Sequence, residues 1–200
     1  MNRAGALLVV ALAACGSGSS DPLFGGFTPS SGAAVILSPG NCSLSFVGPT
    51  ALSGILVELS SSSNACNVLT QAQQCGTGAS TTTLLSAVIS GAVGAGSVAP
   101  VGPGTYAWLK DAPTGAFKTA NTAAAKVDAS CTAATGGSVS MTGGSIAISA
   151  VTASKVSGSM DVQFDNGQVY KDSFDATLCP VSIDICSLFE PCFSHVCVQP

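Results

Sequence analysis

The stretch KVSGSMDVQFDNGQVYKDSFDATL, residues 155–178, decides the fold. From Lys155 to Phe164 the residues alternate. Val156, Gly158, Met160, Val162 and Phe164 share one face, and Lys155, Ser157, Ser159, Asp161 and Gln163 share the other. A period of two is that of a strand with one buried face. The turn Asp165-Asn166-Gly167 and a second run, Val169–Leu178, complete a hairpin. A two-residue Asn166-Gly167 loop would pair Phe164 with Val169 and set Lys171 and Ser173 among the apolar side chains. A three-residue loop with Gly167 left-handed instead pairs Phe164 with Gln168, placing Tyr170, Phe174, Ala176 and Leu178 on the apolar face. A slip of one residue turns every side chain over, so the pattern selects the three-residue loop and its bulge. One residue does not fit: this register points Asp172 inward, opposite Met160.

The rest of the chain reads in the same way. Short apolar runs bounded by Gly, Pro, Asn and Ser recur, and no stretch sustains a helical period. Further strands are expected at Ala33–Leu37, Cys42–Val47, Gly54–Ser60, Thr81–Ser90, Thr105–Leu109, Ala123–Ser130, Ser138–Met141 and Ser145–Val151. Pro39, Pro49, Pro100, Pro103 and Pro113 fall between these runs, where proline costs no ladder hydrogen bond. The one helix expected is Asn64–Gln74, capped by Asn64 with Val68, Leu69 and Ala72 inward. Leu84–Gly102 carries no charge, but its glycines and Pro100 make a strand and loop of it rather than a membrane helix. The fold class expected is all-β: a disulfide-stabilised antiparallel β-sandwich of about 8–10 short strands over residues 33–179.

Charged residues are 8% of the 200, against roughly 25% in an ordinary soluble domain. Gly (23), Ser (29) and Thr (16) fill the space. Six Lys and Arg against ten Asp and Glu exclude nucleic acid as a partner, since that affinity rests on cations that neutralise phosphate. Between Pro22 and Leu109 Glu58 is the sole Asp, Glu or Lys. That half reads as a neutral surface, which leaves any acid–base chemistry to the residues from Lys110 onward.

The N-terminus carries an address. Arg3 precedes the apolar run Ala4–Ala14, too short to span a bilayer, which ends Leu12-Ala13-Ala14-Cys15. This ending resembles the lipobox of bacterial lipoproteins. The resemblance implies a signal peptide over 1–14 and acylation of Cys15 on its sulfur and on its new amine, with the membrane as partner through that anchor. Several acyl chains hold a protein stably, at about 0.8 kcal/mol per buried CH₂. Removing Arg3 with the leader takes the formal charge from −4 to −5. Residues 15–32 read as lipidated Cys and flexible tether. Gly16 after Cys15 implies, again by resemblance, delivery to the outer membrane of a bacterial cell envelope.

The C-terminal hairpin, with Gly158-Ser159-Met160-Asp161, Asn166-Gly167 and Ser173-Phe174-Asp175-Ala176-Thr177-Leu178-Cys179, resembles the last hairpin of small uncharacterised bacterial lipoproteins. Those end in a Gly/Ser-Phe-Asp-Ala-x-x-Cys strand. The likeness covers about residues 122–179 and implies an all-β domain without a known activity. Family members usually have Gly where Asp172 stands.

With Cys15 set aside, eight cysteines remain: Cys42, Cys66, Cys75, Cys131, Cys179, Cys186, Cys192 and Cys197. An even count in an exported chain points to four disulfides, and 105 connectivities are open. The pairings expected are Cys66–Cys75 across a short loop and Cys131–Cys179 across the last β block. The tail, 180–200, then pairs within itself and with Cys42. The rival is a metal site at Cys186, Cys192, His195 and Cys197, which lacks the close Cys-x-x-Cys spacing of zinc modules. Neither metal nor cofactor is expected.

Catalytic arrangements are sparse. His195 is the only imidazole and no Gly-x-Ser-x-Gly elbow occurs. Gly94-Ala95-Gly96-Ser97-Val98-Ala99 fits a dinucleotide fingerprint in letters, but Pro100 and Pro103 forbid the helix it needs. Asp161, Asp165, Asp172 and Asp175 gather at the hairpin without the spacing of a calcium loop. Asp165 reads as a turn residue, and Lys155 and Lys171 lie within reach of the others. An inward Asp172 has to be paired, protonated or functional. Tyr106 and Trp108 form the one possible ligand contact, one facing the core and the other a stacking platform. The function expected is a non-catalytic structural or binding module of the envelope. The alternatives are an adhesin for carbohydrate or protein using the Trp108 face, and a hydrolase built on carboxylates near Asp172.

Overall fold

A computed structural model describes residues 27–44, 48–74, 82–92, 101–110, 116–127 and 133–186. Eight strands and one helix follow in order: β1 (Ser31–Leu44), β2 (Gly48–Ser60), α1 (Ala65–Gln74), β3 (Thr82–Ala92), β4 (Gly104–Ala107), β5 (Phe117–Val127), β6 (Ala133–Val151), β7 (Lys155–Phe164) and β8 (Val169–Leu178). They close into a barrel in the order β1-β2-β3-β5-β4-β6-β7-β8. The all-β class holds, and the sandwich is corrected to a barrel. Most neighbours are antiparallel, but β8 closes onto β1 in parallel, at Ala33–Thr177 and Ala34–Leu178. Closure leaves no pair of separate sheets to face one another.

The hairpin has the register that its alternation requires. Val162 pairs with Tyr170 and Gln163 with Val169. At the turn the Phe164 amide donates to Gln168 O and the Gly167 amide donates to Phe164 O, both at 2.9 Å. Gly167 has φ +82°, the left-handed conformation that a side chain disfavours. Two expected pairs of strands are single strands that bulge. Ala33–Leu37 and the described part of Cys42–Val47, residues 42–44, fall along β1, whose register shifts between Leu37 and Gly40, while 45–47 lie outside the described residues. Ser138–Met141 and Ser145–Val151 belong to β6, which shifts between Met141 and Gly143. Pro39 therefore sits at a bulge inside β1, and Pro49 near the start of β2, rather than between strands.

Alternation on each strand sorts the side chains into two cores. The barrel interior holds Ile55, Val57, Leu59, Leu85, Ile89, Tyr106, Ile146, Met160, Val162, Phe164 and Phe174. Gly158 lies among them because a Cβ there would stand 2.2 Å from Ala147 O and 2.8 Å from the Phe174 ring, its cross-strand partner. The ring fills the space that the glycine leaves. The second core lies outside the barrel wall. There Ala33, Val35, Leu37, Leu56 and Val88 are covered by Ala65 and Leu69 of α1 and by Ile183 and Ile185 of the segment after β8. These strands are thus apolar on both faces, as in sheets covered on both sides.

Candidate functional site

Among the described residues, two disulfides fasten this outer layer to the barrel. Cys66, in the first turn of α1, is bonded to Cys179 just past β8, and Cys42 of β1 is bonded to Cys186. The expected Cys66–Cys75 and Cys131–Cys179 pairs are corrected. α1 lies back across β1, which brings Cys66 to the end of β8 rather than to its neighbour in sequence. A tail cysteine does pair with Cys42. Cys15, Cys75, Cys131, Cys192, His195, Cys197 and the Gly94–Ala99 run lie outside the described residues.

The segment from Cys179 to Cys186 follows β1. The Cys179 amide donates to Ala34 O at 2.9 Å, the Ser38 amide donates to Ile183 O at 2.8 Å, and Ser38 bridges to Asp184. α1 is held at its start. Asn64 Oδ1 accepts the Asn67 amide at 3.0 Å, and Ser31 Oγ accepts the Ala65 amide at 2.8 Å. These contacts satisfy amides that a helix N-terminus otherwise leaves open.

The carboxyl of Glu58 lies within this covered wall. On β2 it stands between Ala33 of β1 and Ser86 of β3, at 4% exposure. Burial pushes its pKa from 4.5 up to about 8, against the smaller opposing effect of a hydrogen bond with Ser86. Its Oε1 has no hydrogen-bond partner. The charged form is therefore poorly solvated, and the acid is held neutral near pH 7. Sequence reasoning passed over Glu58 because it counted charge along the chain. The usable signal was its position on a strand, Gly54–Ser60, whose other residues are apolar or small on both faces.

The carboxylates of the hairpin are exposed and placed differently from the expectation. Asp172 has Met160 as its cross-strand partner, yet it is exposed, and its Oδ1 accepts the Ser173 amide at 2.8 Å. β1 pairs with β8 at Thr177 and Leu178, so no described strand flanks β8 on that side at Asp172, and the carboxylate is exposed to water. Its charge, after burial, helps to raise the Tyr170 phenol to about 12. Lys171 Nζ pairs with Asp161 Oδ2 at 2.6 Å, and Lys155 Nζ with Asp175 Oδ2 at 3.2 Å. Ser157 Oγ also donates to Asp175. That hydroxyl, then Lys155, holds the Asp175 carboxyl below its ordinary range. Asp161 raises the Lys171 ammonium, chiefly by accepting its hydrogen bond. Asp165 is exposed at the turn. Such exposed pairs contribute little to stability.

The two aromatics divide unequally. Tyr106 is fully buried inside the barrel, where its hydroxyl donates to Gly102 O at 2.8 Å and accepts the Gly102 amide at 3.0 Å. Trp108, just past β4, is half-buried against the same core, and its amide donates to Gly144 O at 3.1 Å. At the opposite end of the barrel wall from the β7–β8 turn, Ile36, Leu37, Pro39, Ile55 and Val101 line an open cleft of about 310 Å³.

Among the described residues no group of three or more His, Cys, Asp or Glu is placed to hold a metal ion. No described helix is long and apolar enough to cross a membrane. Comparison with protein families, with curated proteins and with solved structures finds no match for this chain.

Proposed function

We propose that this chain is a lipid-anchored module of the bacterial cell envelope, attached through Cys15, which serves as a structural or binding element rather than a catalyst. The observation that carries the reading is the pair of disulfides, Cys42–Cys186 and Cys66–Cys179, behind a lipobox-like leader. Disulfides persist in oxidising compartments and are rare in the cytosol. The surface chemistry supports the same reading. Asp161 and Asp175 are taken up by Lys171 and Lys155, and Asp172 by its neighbouring amide, so the hairpin holds no adjacent pair of free carboxylates. The hydrolase alternative thereby loses the inward acid that motivated it.

Gly16 after the acylated residue favours the outer membrane as destination. The experiment is Cys15→Ser with membrane fractionation and labelled fatty acid in the producing bacterium. The wild-type chain should take up label and sediment with membranes, and the variant should do neither. A variant that still sediments with membranes would overturn the anchor.

A further inference from the structure

We propose that α1 is a releasable strap, seated on the barrel wall by the neutral form of Glu58 and lifted when that carboxyl ionises. Lifting bares the apolar outer face of β1, β2 and β3. The proposal rests on where the carboxyl lies and on how the helix is fastened.

Glu58 is on the wall that α1 covers. Its cross-strand neighbour Ala33 and its strand neighbour Leu56 belong to the cluster that Ala65 and Leu69 complete. Among the described residues of the elements packed on this wall no cation opposes it. α1 carries no charged residue, and Glu58 is the one charged residue among β1, β2 and β3. The segment from Cys179 to Cys186 contributes only Asp184, which is exposed and accepts the Cys186 amide. Ser86 and Ser60 are the buried polar side chains beside Glu58, and Oε1 remains without a partner. The described residues offer an ionised Glu58 no further donor, and water reaches it when the cover moves.

The described fastenings of α1 lie at its first turn. The Cys66–Cys179 bond, the Asn64 cap and the Ser31 hydroxyl all act on its first turn. Beyond them, among the described side chains, Val68 and Leu69 seat the helix, and its sequence has no charged residue to form an ion pair. Loss of that apolar seat frees the distal turns while the disulfide keeps the helix attached. The direction of the response follows from linkage. Seated, the carboxyl titrates near 8; lifted, it titrates near 4.5. Lifting therefore releases a proton between those values, and the lifted fraction rises with pH until about 8 and then levels off.

The test is hydrogen exchange of the folded mature protein with its disulfides intact, each amide corrected for its intrinsic rate. Between pH 5.5 and 8 the α1 amides beyond the fastened first turn, residues 69–74, should lose about 100-fold in protection, the ratio set by a pKa near 8 seated and 4.5 lifted. The β6 and β7 amides should keep theirs. Glu58→Gln should show α1 protection that does not change over this range. Protection of α1 independent of pH in the wild-type chain would overturn the proposal. Equal loss in β6 and β7 would also overturn it, since opening would then be global. The wild-type comparison decides the matter even if Glu58→Gln fails to fold.

Discussion

The two disulfides are nested, and nesting makes their contributions interdependent. Cys66–Cys179 closes a loop with a sequence separation of 113, and Cys42–Cys186 encloses it with a separation of 144. In the chain-entropy treatment, either bond alone restricts the unfolded chain by about 5 kcal/mol. Once the inner bond is present, the outer one closes only the 31 residues by which the two separations differ. That lowers its own contribution to about 4 kcal/mol. Removing either pair as Cys→Ala, with the other intact, should therefore cost about 3.5 to 4 kcal/mol. Removing both should cost about 8 to 9, roughly 1 kcal/mol more than the two single losses together. Replacing both cysteines of a pair leaves neither partner as a lone thiol. The assay is urea unfolding of the unreduced proteins followed by Trp108, the single tryptophan, which packs against the barrel interior. A double loss equal to or smaller than the sum of the single losses would refute the reasoning, because it would place the effect of the bonds in the folded state.

Other consequences can be checked as directly. Because the folded pKa of Glu58 is raised, its contribution to stability is fully present below pH 4.5 and is lost as pH climbs to about 8. That loss is at most about 5 kcal/mol, and Glu58→Gln should flatten this slope in denaturation midpoints measured from pH 4.5 to 8.5. Parallel curves for the two proteins would reject the assignment. Asp175 behaves in the opposite sense: its pKa is lowered, so its contribution is present above the ordinary carboxylate value and disappears as pH falls through the folded one. Ser157→Ala should move the Asp175 titration upward in a carboxyl NMR experiment, and an unmoved titration would discount the hydroxyl. Gly158→Val should cost at least about 3 kcal/mol, since the added atoms meet Ala147 O and the Phe174 ring. A stability change under about 1 kcal/mol would mean that the ring has room to move.

The hairpin was legible because every local signal agreed. Alternation fixed the faces, and the Gly167 turn fixed the register that pairs Val162 with Tyr170. Closure was not legible. Strands of a sandwich and of a barrel share the same alternation, and the difference here lies in pairings between distant residues, such as Ala33 with Thr177. The bulges in β1 and β6 concealed two long strands behind Pro39 and Gly143, which read locally as interruptions. Cystine pairing failed for a related reason. Cys66 and Cys75 are near in sequence, but the path of α1 across β1 decides which sulfurs meet. Charge counting rightly found a nearly uncharged first half but mistook rarity for irrelevance. The one carboxyl there is the most strongly confined, because β2 is covered on both faces.

The parallel join between the first strand and the last also bears on how such a chain is delivered. β1 emerges early in synthesis, but the seam that makes it part of a closed wall needs Thr177 and Leu178. Until those residues arrive, β1 can pair only with β2, and the cylinder stays open along one side. Seams made between such distant residues form late because the loop-closure entropy must be met first. On the export route proposed above, a polypeptide built in this way would stay threadable for nearly the whole of its passage. On that route it would lock only after β8 has come through, when Cys179 and Cys186 meet Cys66 and Cys42.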